Sequence, residues 1–178
     1  MRNLIFLWLF LFTPIFLFSQ TTEKKNVWEP FNYFLGSWES KVTGKAGSGK
    51  GQRVYEFILG DKYLYCKNKS VFEPQEKNPA GEIHEDWTFF SYDQSRSKFI
   101  IRQFNIEGFV NQYVLDSLST DCKTLVFVTE SIENVPPGFR ARLSHVIETD
   151  DQFSEIFELA PSGKEFNICI KNSWKRIK

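Results

Sequence analysis

Helical patterning is the first thing missing. Between residues 37 and 176 no stretch repeats its apolar residues at helical spacing, which sets aside the folds built on buried amphipathic helices. Histidine is nearly absent, His84 and His145 being the only two, and the three cysteines, Cys66, Cys122 and Cys169, are far apart. No second histidine or cysteine stands at ligand spacing from either histidine, so no metal site is expected. No serine or cysteine sits in a nucleophile motif, and no catalytic residue is nominated. An excess of one charge is also lacking: 22 basic residues face 22 acidic ones. Nucleic acid is therefore not an expected partner.

One long apolar run is present. It covers residues 4–18, interrupted only by Thr13 and Pro14, with Arg2 before it and Ser19-Gln20 after it. That is the layout of a secretory signal peptide. The run falls short of the ~20 residues that a spanning helix needs, and polar residues 20–25 follow at once. Cleavage is expected near Ser19, dividing the chain into a signal peptide, 1–19, and one domain, 20–178, that is secreted or periplasmic without a stable membrane span. No cysteine lies near the cut to carry a lipid. Losing Arg2 takes the net charge to minus one. Three cysteines in an oxidising compartment permit at most one intramolecular disulfide among them. The sequence does not choose a pair, and small buried residues without chemistry are the favoured reading.

What fills the rest is period-two alternation rich in β-branched and aromatic residues. It predicts ten strands, over 37–43, 52–59, 63–72, 84–92, 98–106, 109–116, 124–132, 139–148, 152–159 and 165–176. Most connections are short, as at Gly60-Asp61, Glu107-Gly108 and Asp150-Asp151, and such turns join neighbouring antiparallel strands. An up-and-down meander of ten strands leaves two exposed edges unless the sheet closes. The expected fold is thus all-β, a closed antiparallel up-and-down barrel of about ten strands. Longer breaks at 44–51, 73–83 and 133–138 are the expected mouth loops.

Three motifs invite functional readings. Residues 44–51 place Gly44, Gly49 and Lys50 at phosphate-loop spacing, but Gly51 stands where a metal-reaching hydroxyl is needed and a strand follows instead of a helix. A flexible hairpin is expected there. In His84-Glu85-Asp86, strand alternation puts His84 and Asp86 on one face and Glu85 on the other. A hydrogen-bonded histidine at the barrel rim is the favoured reading. Arg140 and Arg142 also share a face. Turned inward they would hold an acidic head group bidentately, and turned outward they would form a solvated ladder opposing Glu155, Glu158 or Glu130.

Two resemblances bear on the fold. Residues 34–38, Phe-Leu-Gly-Ser-Trp, with Trp174-Lys175-Arg176 at the far end, resemble the calycin signature of lipocalins and fatty-acid-binding proteins. That resemblance implies a structural barrel floor made by Trp38 and Arg176. A wider one, carried by 34–38, 55–60, 84–87 with 91–93, 102–104, 107–113, 132–134 and 137–142, is to bacterial barrels of uncharacterised function near nitrobindin and the haem-binding domain of its relatives. It implies a ten-stranded barrel. Haem does not come with it, because nitrobindin-like sites take their axial histidine from the last strand. Here that strand reads Phe166-Asn167-Ile168-Cys169-Ile170-Lys171-Asn172, with Cys169 the one residue able to ligate iron. No cofactor is expected.

Ten strands leave an interior wider than eight do. The leading expectation is a binding protein for a small, largely apolar or amphipathic molecule, with an acidic head as one form of it. Arg102, Tyr113, Arg140 and Arg142 are the expected polar anchors, and Trp87 and Phe104 the apolar wall. Two alternatives stand beside it. One is a barrel enzyme, an isomerase or haem-type redox catalyst, using His84 or His145, which requires a histidine lining the cavity within reach of a carboxylate. The other is a filled barrel acting through protein-binding loops, which an exposed aromatic patch over 133–139 would favour.

Overall fold

The structure, a computed structural model, describes residues 26–178 apart from 45, 46 and 77. The signal segment assigned to 1–19 lies outside the described residues. A short 3₁₀ turn, Glu29–Phe34, precedes ten strands: β1 (Gly36–Gly44), β2 (Gly47–Ile58), β3 (Tyr63–Phe72), β4 (Glu82–Asp93), β5 (Lys98–Asn105), β6 (Val110–Leu118), β7 (Thr124–Glu133), β8 (Arg140–Thr149), β9 (Gln152–Ala160) and β10 (Asn167–Arg176). Each pairs antiparallel with its sequence neighbours. The first and last strands then pair with each other, Trp38 opposite Arg176 and Ser40 opposite Trp174, and close the barrel. Closure gives every strand two hydrogen-bonded neighbours, which is how an all-antiparallel meander avoids open edges.

The connections sort to the two ends. The β3–β4, β5–β6, β7–β8 and β9–β10 connections lie at the end where β1 finishes, the mouth, and the β2–β3, β4–β5, β6–β7 and β8–β9 connections lie at the other, the floor. The glycine-rich segment differs from the expected loop over 44–51. Gly47 already belongs to β2, and Lys50 pairs with Lys41 on β1 and Val71 on β3. Glycine serves close approach there: a Cβ on Gly51 would lie 2.8 Å from the Trp174 ring and 3.0 Å from Val42.

Chain entry closes the floor. Pro30 sits in the first turn of the 3₁₀ segment, where its fixed φ suits the helix and its missing N–H costs nothing. The turn drives Phe31 and Phe34 into the barrel end, where both are fully buried. Phe31 packs 4.5 Å from Phe99 and 5.6 Å from Phe90 between ring centroids, and Phe34 packs 5.1 Å from Phe153. Trp38 lies against the same cluster and donates from Nε1 to the Phe34 carbonyl at 2.6 Å. The Arg176 guanidinium stacks over Trp38 at 4.2 Å and donates to the Leu35 and Tyr33 carbonyls, each at 2.6 Å. One basic side chain thus ties the last strand to the chain entry and satisfies carbonyls that the turn leaves unpaired.

Candidate functional site

Above the aromatic floor the barrel encloses a cavity of about 360 Å³. Val42, Phe72, Phe109 and Ile170 line it toward the mouth beside Thr43, Glu82 and Asn105, and a belt of polar residues crosses it below them. The belt is continuous across seven strands. On β8, His145 Nε2 lies 2.9 Å from Glu155 Oε2 of β9. Glu155 takes a bidentate pair from Arg53 of β2, at 2.5 and 3.1 Å. Arg53 also donates through Nε to Asn68 of β3 and through Nη1 to the Tyr55 hydroxyl, each at 3.2 Å. Asn68 donates on to Asp86 of β4 at 2.8 Å. Gln103 of β5 donates to Asp86 at 3.1 Å and accepts from Asn111 and Tyr113 of β6.

The electrostatics follow from burial opposed by pairing. For Glu155 burial favours the neutral acid, but the Arg53 charge and the hydrogen bonds from His145 and Arg53 outweigh it and hold the carboxyl far below the usual carboxylate range. Asp86, nearly as buried, is likewise held low by His84, Arg53 and Gln103. His84 sits nearer the mouth, with Nε2 3.3 Å from Asp86 and Nδ1 2.7 Å from Glu107 of the β5–β6 turn. Only the imidazolium donates to two carboxylates at once. The hydrogen bond to Asp86, opposed by desolvation and reinforced by Glu107, raises its pKa to about 9. Burial pushes the Tyr55, Tyr113 and Cys66 groups up, so all three stay protonated.

Such a belt is costly. Each buried ion loses several kcal/mol of hydration, and well-packed apolar residues of the same volume stabilise a core as well or better. Stability alone therefore does not account for it, and perturbed ionisable groups in a cavity are the physical mark of a functional site. The belt is also incomplete on β10, where Asn172 Oδ1 and Trp174 Nε1 are buried without a protein partner.

The residues nominated from sequence fall on both sides of the wall. Tyr113 lines the cavity. Arg102, Arg140, Arg142, Trp87 and Phe104 stand on the outer face, and their expected placement inside is corrected. On β4 it is His84, Asp86, Thr88 and Phe90 that line the cavity, so Trp87 points out, 47% exposed, with Phe104 opposite it on β5, 48% exposed. Arg102 reaches Ser91. Arg142 pairs with Glu158 at 2.5 Å, and both Arg140 and Arg142 stack on Phe166. Of the three acids weighed opposite the arginines, Glu158 takes Arg142, Glu130 pairs with Arg96, and Glu155 faces inward. None of the three nominated arginines lines the cavity.

Both histidines line the cavity within hydrogen-bond reach of carboxylates. Over 133–139 no aromatic patch is exposed, since Phe139 is half-buried, and the interior is not filled. The three cysteines are free. Several groups able to meet a haem are already engaged. Arg53, the only arginine or lysine among the described lining residues, is committed to Glu155. Both ring nitrogens of His84 face carboxylates, and Cys169 directs its Sγ to the Asn167 carbonyl at 3.6 Å.

The fold and site together define a closed ten-stranded antiparallel barrel with an interior cavity crossed by a polar belt. The solved structure of Rv2717c from M. tuberculosis shares this fold, with a TM-score of 0.63 over 85% of this chain and 97% of that one, at 15% sequence identity. At that identity the likeness is one of fold alone. By sequence, no family model and no curated protein matches the chain.

Proposed function

We propose that this barrel is a binding protein for a small, largely apolar molecule, acting outside the cytoplasm as a calycin-like relative of the nitrobindin group. One observation carries the reading: a cavity of about 360 Å³ inside a closed barrel, lined by apolar side chains together with a belt of polar ones. At roughly 30 Å³ per water-sized group this is room for about a dozen non-hydrogen atoms, within the size range of small-molecule sites. Burying an apolar ligand there contributes roughly 25 cal/mol per Å² before ordering costs. The Trp38–Arg176 stack supports the calycin-like placement, and the apolar run over 4–18 supports export. Among the described residues no helix is long and apolar enough to cross a membrane.

Native mass spectrometry of the signal-free protein from its own compartment, with an absorbance scan, tests this. A bound small mass is expected, and it should vanish in Leu143→Trp, which puts an indole into the cavity. A mass that persists in that variant would place the ligand elsewhere. An absorption band of haem would overturn the reading.

General acid–base catalysis is a second reading, favoured by the histidines facing carboxylates inside the cavity. Incubating the recovered ligand with the protein and with His145→Gln separates the two: chemical conversion by the unaltered protein alone makes it an enzyme.

A further inference from the structure

Resting on the binding reading, we infer that the ligand's polar end is uncharged, a hydroxyl, carbonyl or amide group, and that it seats against β10 where the belt is open. The reason is saturation. Arg53 has four of its N–H groups taken by Asn68, Tyr55 and Glu155, and its face lies 4.0 Å over Trp174. A carboxylate or phosphate head would have to displace Glu155 and leave that acid buried without its counter-ion, a loss that nothing in the site offsets. Asp86 already accepts from Asn68, His84, Thr88 and Gln103. An ammonium head would find that carboxylate fully used and would meet the charge of Arg53 beyond it.

Among the buried polar atoms, what remains unpaired is neutral. Trp174 Nε1 is a donor and Asn172 Oδ1 an acceptor. They stand two residues apart on one strand and so on one face, and both residues line the cavity, with the unpaired atoms themselves just behind its surface. A buried unpaired polar atom is costly to leave unmade, and a group that both donates and accepts relieves both. A hydroxyl is the smallest that does.

The test uses three ten-carbon probes that differ only at the head: decan-1-ol, decanoate and decylamine, titrated into the mature protein at pH 7.5 by calorimetry and checked by native mass spectrometry. Decan-1-ol is expected to bind at least tenfold more tightly than either charged probe. In Asn172→Leu that preference should shrink several-fold while the thermal unfolding midpoint stays near that of the unaltered protein. Decanoate or decylamine binding as tightly as the alcohol overturns the neutral head and leaves the binding reading standing. Failure of all three to bind overturns both. The comparison in the unaltered protein decides the matter even if the variant does not fold.

Discussion

The two ends of the barrel are built by the same strands and finished in opposite ways. At the floor, the 3₁₀ turn inserts Phe31 and Phe34, and Trp38 with Arg176 lies across the same end, so rings pack against rings. Toward the mouth no segment is inserted among the described residues, and the strands' own inward side chains leave the cavity. A ten-stranded ring is too wide for its side chains to fill. Packing at one end therefore depends on a contribution from outside the sheet, and binding space at the other depends on that contribution being absent.

The largest expected effect strikes the floor. Phe31→Ala should cost about 3 to 5 kcal/mol by denaturant unfolding, as large-to-small changes in a filled core do, whereas Phe109→Ala at the half-exposed mouth should cost under about 1 kcal/mol. Similar losses for the two would erase the contrast between the ends. Next comes the polar belt between them. Glu155→Leu should cost roughly 3 kcal/mol because it strands a buried Arg53, and adding Arg53→Met should recover much of the loss. A double variant no more stable than the single one would mean that the belt holds the barrel together by more than this pair.

A smaller effect is written in pH. His84 has its pKa raised to about 9 in the fold, so its stabilisation is complete below about 6.5 and lost as pH rises through 9, by at most about 3 kcal/mol. Asp86 and Glu155, held low, stabilise above the ordinary carboxylate range and lose that contribution as pH falls through their lowered values. Thermal midpoints should therefore be highest between about pH 4.5 and 6.5, and His84→Gln should flatten the alkaline slope alone. An unchanged slope in that variant would assign the dependence to another group. The smallest effect belongs to the outer wall, where Arg142→Ala should shift stability by under about 1 kcal/mol and leave ligand affinity unchanged. Selective loss of an anionic ligand would return Arg142 to the site.

Much of the architecture was legible residue by residue. Alternation such as Phe153-x-Glu155-x-Phe157 marks both a strand and its inward face, and the turn chemistry at 60–61, 107–108 and 150–151 forces neighbours to pair. The belt was legible in principle from the same signal: Arg53 two before Tyr55, and Glu155 between two phenylalanines, are charges at inward parity. They were missed because a charge in a strand is ordinarily read as a solvated position. Trp87 and Phe104 were misplaced for the opposite reason. Aromatics occupy both faces of β4 and β5, and where both faces are apolar the pattern does not say which is inside.

By itself, then, the sequence determined ten strands, their antiparallel order and the need to close, because strand period, turn chemistry and edge protection are all local or nearest-neighbour properties. Which face of each strand turned inward at β4, β5 and β8, and that His145, Glu155, Arg53, Asn68 and Asp86 meet in one network, were decided only by the tertiary structure. Those contacts join strands far apart in the chain, and their geometry is set by how the whole ring closes around a shared interior.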